Sequence, residues 1–257
     1  MEYIEWAVSE RIATIILNRA EKRNALHPKM VSELLEALHQ IEKNENAKVV
    51  IIKANGEAFC AGADLSYLQQ LQKNTFDENL EDSQHLKKLF KTIYDFPKVV
   101  IAQVEGAALA GGCGLANVCD FCFATPESKF GFTEVKIGFI PALVSVFLVL
   151  KIGEAKAKNL LLSGNIISAN EAAECGLITK IVEKESIADF VKDKCNQLIL
   201  QASGQSLALT KNLISATQHL SIDDALELAA NQNAIARATD DCKKGISSFL
   251  NKEKINW

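Results

Sequence analysis

Two stretches of this chain carry residue types suited to acid–base chemistry beside a carbonyl. A glycine-rich turn, Glu105–Gly114, follows the apolar run Val99–Val104, and a glutamate, Glu134, stands twenty residues past the turn in Phe130–Val135. Small residues at the start of a helix leave backbone N–H groups bare, and such groups can hold the negative charge of a developing oxyanion. A carboxylate beside them can move a proton. Together they point to an enzyme that works next to a carbonyl group. Glycines this dense at a helix start are costly unless the backbone must approach something closely.

Other glycine-loop chemistries fail on composition. Gly106 and Gly111 have the spacing that opens a phosphate-binding loop, but Gly112 and Cys113 stand where Lys and Ser/Thr are required; no countercharge for a triphosphate is supplied. The dinucleotide spacing Gly-x-Gly-x-x-Gly is absent, because Gly112-Cys-Gly114 runs on into Leu115-Ala-Asn117. No Gly-x-Ser-x-Gly elbow occurs, which argues against a serine hydrolase. The loop Phe59–Leu65, directly after the apolar run Val49–Ile52, is a candidate for a second amide donor. The four histidines, His27, His39, His85 and His219, lie apart and read as surface or packing residues. Cys119 and Cys122 have C-x-x-C spacing without a second pair, so they read as buried thiols rather than zinc ligands, and no metal is expected.

The elements that must position these residues follow from periodicity. Arg11–Leu17, Val49–Ile52, Val99–Val104 and Cys119–Ala124 read as strands. A helix starts near Pro28, with Met30, Val31, Leu34, Leu35, Leu38 and Ile41 at helical spacing. Residues 65–95 are mostly helical with a polar interruption at 73–79, and a short helix is expected over Gly111–Val118. After about Ile140 the pattern is helical apart from Ile178–Val182, and Ser221-Ile-Asp-Asp224 reads as a capping box. No repeat is visible in the residue identities. The expectation is an α/β core followed by a helical tail.

Composition agrees with a sizeable core: 48% of the 257 residues are hydrophobic. A net charge of −4 argues against a nucleic-acid surface. The acidic start Met1–Trp6 lacks the apolar stretch of a secretory signal, and the longest apolar run, Phe139–Leu150, is too short to span a bilayer. Seven scattered cysteines fit a reduced compartment. A cytoplasmic protein with no membrane or nucleic-acid partner is expected.

In Leu17–Leu26, Ala58–Leu65, Val104–Cys113, Phe130–Pro141 and the ending Gly245–Leu250 with Trp257, in that order and spacing, the chain resembles the enoyl-CoA hydratase/isomerase (crotonase) family. The resemblance implies an α/β fold: a crotonase-like ββα spiral core over 1–195 and a helical C-terminal trimerisation region over 196–257, assembled as a homotrimer or homohexamer. It implies an acyl-CoA thioester as substrate, with CoA arriving as part of that substrate and no separate cofactor. It implies oxyanion donors at the backbone N–H groups of Ala63 and Gly111, and an acid/base at Glu134. It places Ala61 at the adenine pocket, Lys22 and Arg23 near the CoA phosphates, and Asp64 and Leu65 in the region covering the acyl group.

One departure bears on the reaction. Hydratases of the family carry a second glutamate, which would fall at residue 114, and here Gly114 stands there. Hydration then requires Glu134 to serve twice or another group to help; Asp64, Asp77, Glu78 and Glu81 are candidates. A Δ3,Δ2 double-bond shift needs one base only. Hydration is placed first, isomerisation second, and a non-catalytic acyl-CoA-binding protein third, with thioester hydrolysis or decarboxylation as further possibilities on the same fold. Ile140–Ser145 replaces a glycine-rich segment of the family with bulkier residues, which should reshape the acyl pocket.

Overall fold

A computed structural model describes residues 1–255 and 257; the side chain of Leu65 also lies outside the described part. The chain opens with a hairpin of β1 (Ile4–Ser9) and β2 (Ile12–Leu17), paired antiparallel. Its two-residue turn, Glu10-Arg11, has both φ angles positive (51° and 66°), the twist that matches right-handed strands. The long helix α1 (Pro28–Lys43) follows, capped by His27, whose Nδ1 accepts from the Lys29 N–H at 3.2 Å. Met30, Val31, Leu34, Ala37, Leu38 and Ile41 form its buried stripe. Burial of each large apolar side chain contributes about 1.5–3 kcal/mol.

Two strands and then a helix recur three times after that. β3 (Val49–Ala54) and β4 (Ala58–Cys60) lead to α2 (Leu65–Leu71) and α3 (Phe76–Tyr94). β5 (Val99–Val104) and β6 (Ala107–Leu109) lead to α4 (Gly111–Asn117). β7 (Phe121–Ala124) and β8 (Lys129–Gly131) lead to a 3-10 turn at Glu134–Ile137 and then α5 (Ala142–Ile152). The first strand of each unit joins one sheet, ordered β1-β2-β3-β5-β7-β10, and the second joins another, ordered β4-β6-β8-β9. The first sheet's β10 is Lys180–Ile181, and the second sheet's β9 is Ile166–Ser168. Equivalent strands of successive units pair in parallel, so the chain winds as a spiral of ββα turns. The turns stack closely: at Gly106 (φ +79°) a Cβ would lie 1.9 Å from the carbonyl oxygen of Glu57, so only glycine fits.

Alternate residues of β3 face opposite sides. Val50 and Ile52 join the main core with Ile15, Phe59 and Phe130, whereas Val49 and Ile51 meet Val99, Ile101 and the helix α8 (Ile187–Gln201). The remaining elements are α6 (Glu154–Ser163), α7 (Ala169–Cys175), α9 (Gly204–Thr217), α10 (Ile222–Ala238) and α11 (Asp240–Asn251). The last three bury no residue of their own.

The expected strands and helices are present with shifted ends. The strand at Cys119–Ala124 begins at Phe121, that at Ile178–Val182 reduces to β10, and the polar interruption at 73–79 reduces to residues 72–75, because Thr75 and Glu78 form a capping box that starts α3 early. Ser221 caps α10 through the Asp224 N–H. β1, β4, β6, β8 and β9 were not legible; four of them are three residues long, too short for a period. The boundary expected at residues 195/196 falls inside α8, whose Val191, Cys195 and Ile199 pack in the core.

Candidate active site

The loop before α2 and the loop before α4 lie against each other. A Cβ on Gly62 (φ +93°) would stand 2.9 Å from the Ala110 Cβ and 3.7 Å from the Gly111 nitrogen. Ala110 itself has φ 48° and ψ −124°, a conformation an alanine adopts only at a cost of about 1–3 kcal/mol. That backbone places Gly111 at the first position of α4, where its N–H has no intrahelical acceptor. Ala63 forms a parallel bridge with Leu26: the Leu26 N–H donates to Gly62 C=O at 2.6 Å and the Asp64 N–H to Leu26 C=O at 3.0 Å. These bonds use the groups on either side of the Ala63 N–H. Among the described residues neither Ala63 nor Gly111 spends its N–H on a turn or cap bond.

Glu134 is tied to the same loops. The Ala110 N–H donates to Gly131 C=O at 2.7 Å, and Phe130 and Phe132 anchor the strand end in the core. Ala63, Gly111 and Glu134 line one cavity of about 240 Å³, together with Ala61. The Glu134 Oε2 is buried without a hydrogen-bond partner, and burial raises its pKa above the ordinary carboxylate value. A carboxyl group so placed is set up to take and return a proton.

The other expected residues distribute unevenly. Asp64 does not line the cavity; it is buried, caps α2 and pairs with Arg19 at 2.6 Å. Leu65 begins α2, and its side chain is outside the described residues. Lys22 and Arg23 are exposed beside the cavity's Ala61 end, where the Ala61 N–H donates to Arg23 C=O at 3.0 Å. Gly114 is buried away from the cavity lining, and the reason is steric: a Cβ there would lie 2.2 Å from Val144 Cγ1 and 3.3 Å from Phe90 Cζ. The space a residue-114 side chain would need belongs to Val144 of α5. Asp77, Glu78 and Glu81 do not line the cavity, and Glu78 is spent on the cap of α3. Ser145 donates to Ala142 C=O at 2.7 Å. Cys119 and Cys122 are buried free thiols, and burial pushes the Cys122 thiol up to about 12.

The cavity wall also carries polar groups that the sequence reading did not select. Tyr67 donates its hydroxyl to Asp82 Oδ1 at 2.6 Å, joining α2 to α3. His27 and His85, read as surface or packing residues, both line the cavity; the His85 Nε2 lies 3.2 Å from Ser32 Oγ. The available signal was helical spacing on α3, where Asp82, Leu86 and Phe90 share a face. A larger cavity of about 470 Å³ lies elsewhere, between α9 and the ends of α4 and α5, and includes no part of the Glu134 site. Among the described residues no cluster of His, Cys, Asp or Glu could hold a metal ion, and no helix is long and apolar enough to cross a membrane.

Residues 7–257 match the sequence model of the family described as enoyl-CoA hydratase/isomerase. The chain belongs to that family. A relative from Thermus thermophilus is 41% identical over 241 residues, 94% of this chain and 95% of that one. The crotonyl-CoA hydratase of Syntrophomonas wolfei is 33% identical over 96% of this chain and 95% of its own length. The 1,2-epoxyphenylacetyl-CoA isomerase of Escherichia coli is 30% identical over 98% and 97%. A crystal structure of an enoyl-CoA hydratase from Shewanella pealeana superimposes with a TM-score of 0.94 at 29% identity, covering 99% of this chain and 96% of that one. The spiral α/β core with a helical C-terminal region is thus the crotonase fold.

Proposed function

We propose that the protein adds water to the double bond of a 2-enoyl-CoA thioester, with Glu134 as its single proton carrier. The observation that carries this reading is the half-buried Glu134 carboxyl, one oxygen unpartnered and its pKa raised, in one cavity with two unspent backbone amides. The thioester oxygen rests against the N–H groups of Ala63 and Gly111. The Glu134 carboxylate takes a proton from water as the water oxygen bonds to Cβ. The double-bond electron pair moves through Cα to the thioester oxygen, where the amides stabilise the enolate. The neutral carboxyl then returns its proton to Cα on the same face, and the carboxylate is regenerated. A raised pKa favours this sequence, because it lowers the cost of the protonated intermediate. The hydratase names of several relatives support it. Ala61, Lys22 and Arg23 mark the path for the CoA moiety.

A second reading, a shift of a 3-enoyl double bond to the 2-position, is favoured by Val144, which closes the space at Gly114 to any second carboxylate. There Glu134 removes the α-proton and returns it at the γ-carbon. Crotonyl-CoA separates the two: hydration removes the conjugated absorbance, and isomerisation of a 3-enoyl-CoA creates it. Failure of the wild-type protein to consume crotonyl-CoA, with rapid conversion of a 3-enoyl-CoA, would replace the first reading by the second. Failure with both would leave acyl-CoA binding without turnover, or thioester hydrolysis or decarboxylation, which free thiol or CO2 release would reveal.

A further inference from the structure

We infer that Arg19 is a positioning residue for the oxyanion hole: its buried guanidinium holds the Ala63 amide in register by gripping the two segments that bridge at Leu26 and Ala63. The inference rests on the reading of Ala63 as a hole donor. Arg19 is only 8% exposed. Its Nη1 donates to Ala25 C=O at 3.2 Å, one residue before Leu26, and meets Asp64 Oδ2 at 2.6 Å, one residue after Ala63. One cation therefore clamps both sides of the Leu26–Ala63 bridge.

Each end of the clamp is itself fixed. The other Asp64 oxygen accepts the Ser66 and Tyr67 N–H groups at 2.9 and 3.3 Å, so the carboxylate holds the start of α2. No aligned donor serves Asp64 Oδ2, and the guanidinium charge is its partner. The Arg19 backbone N–H donates to Asn24 Oδ1 at 2.8 Å, and Asn24 Nδ2 donates to the carbonyls of Asn55 and Ala58, both at 2.8 Å. The Tyr3 ring covers the guanidinium at 5.0 Å from its centroid. Arg19 and Asp64 do not line the cavity, so their reach to it runs through the Ala63 backbone. What their geometry controls is the direction of one N–H, and small misplacement of such a donor is expensive in rate.

The test compares Arg19→Met, Arg19→Lys and the double variant Arg19→Met/Asp64→Asn. The double variant removes the uncompensated buried carboxylate that Arg19→Met leaves behind, and so retains the fold if the single variant does not. For Arg19→Met, or the double variant, kcat on a 2-enoyl-CoA should fall about 10- to 100-fold, while affinity for a saturated acyl-CoA changes less than about threefold, since the hole acts chiefly on the transition state. Arg19→Lys, which restores the charge on a shorter stem without the planar guanidinium, should recover part of kcat. Deuterium exchange of the segment spanning residues 61–67 should quicken in Arg19→Met more than in Arg19→Lys. A lowered melting temperature with kcat within threefold of wild type would make Arg19 merely structural and overturn the inference. If wild-type protein turns over no enoyl-CoA, the proposed function fails separately. The exchange measurement then decides the positioning role, and unchanged exchange at 61–67 would refute it.

Discussion

Glu134 is the residue on which the chemistry turns, and its environment gives predictions on activity and stability. Replacing it with Gln keeps shape and removes the proton carrier, so kcat on crotonyl-CoA should drop by about 10²–10⁴-fold in a spectrophotometric assay. The stability effect has the opposite sign. Burial raises the folded-state pKa of Glu134 above its unfolded value, so its favourable contribution is complete below the unfolded pKa and is lost as pH rises through the folded pKa. Glu134→Gln should therefore melt higher than wild type at pH 8, with the difference shrinking toward pH 4. Equal melting temperatures at both pH values would mean that the carboxyl is not desolvated. Asp64 behaves inversely. Hydrogen bonds from Ser66 and the Arg19 pairing outweigh its burial and hold its pKa well below the ordinary range, so its contribution is present above the unfolded pKa and lost as pH falls toward the folded one.

At the scale of elements, the packing of α4 against α5 decides what can stand at residue 114. A methyl group there meets Val144 Cγ1 at 2.2 Å. Alanine is the better helix former by about 1 kcal/mol, yet overpacking a buried contact costs about 1–3 kcal/mol. Gly114→Ala should therefore lose about 1–2 kcal/mol in urea denaturation. In a Val144→Ala background most of that loss should disappear, because the 2.2 Å contact is gone and only the 3.3 Å contacts with the residue-144 Cβ and Phe90 Cζ remain. A loss of the same size in both backgrounds would show that Val144 is not the cause. This contact also explains why Gly114 was legible as a departure but not as a consequence. The motif showed that a carboxylate was missing; the residue that took its space lies thirty positions away, on a helix whose pattern reads only as apolar. The loops at Ala63 and Gly111 were legible because bare amides demand small residues. Tyr67, Asp82 and His85 were not, because their meeting depends on how α2 folds onto α3. The Arg19–Asp64 pair was hidden for the same reason: 45 residues separate two charges that look solvated in sequence.

For the whole molecule, the last three helices leave large apolar side chains in solvent. Ile222, Phe249 and Leu250 are 80%, 84% and 72% exposed. Such surface on terminal helices is expected to be covered by further copies of the chain. The family resemblance implies a trimer or hexamer, so sedimentation is expected to give three or six times the 28.1 kDa chain mass. A monomer at micromolar concentration would refute the expected assembly without touching the site.

The central claim is that two main-chain amides polarise a thioester carbonyl beside one carboxyl group. It is tested most directly by the ¹³C resonance of a carbonyl-labelled saturated acyl-CoA bound to the Glu134→Gln protein, since a saturated chain has no double bond to hydrate or shift. The account predicts a downfield displacement from the free thioester that diminishes in Arg19→Met/Asp64→Asn. A bound carbonyl resonating at its free position would contradict it.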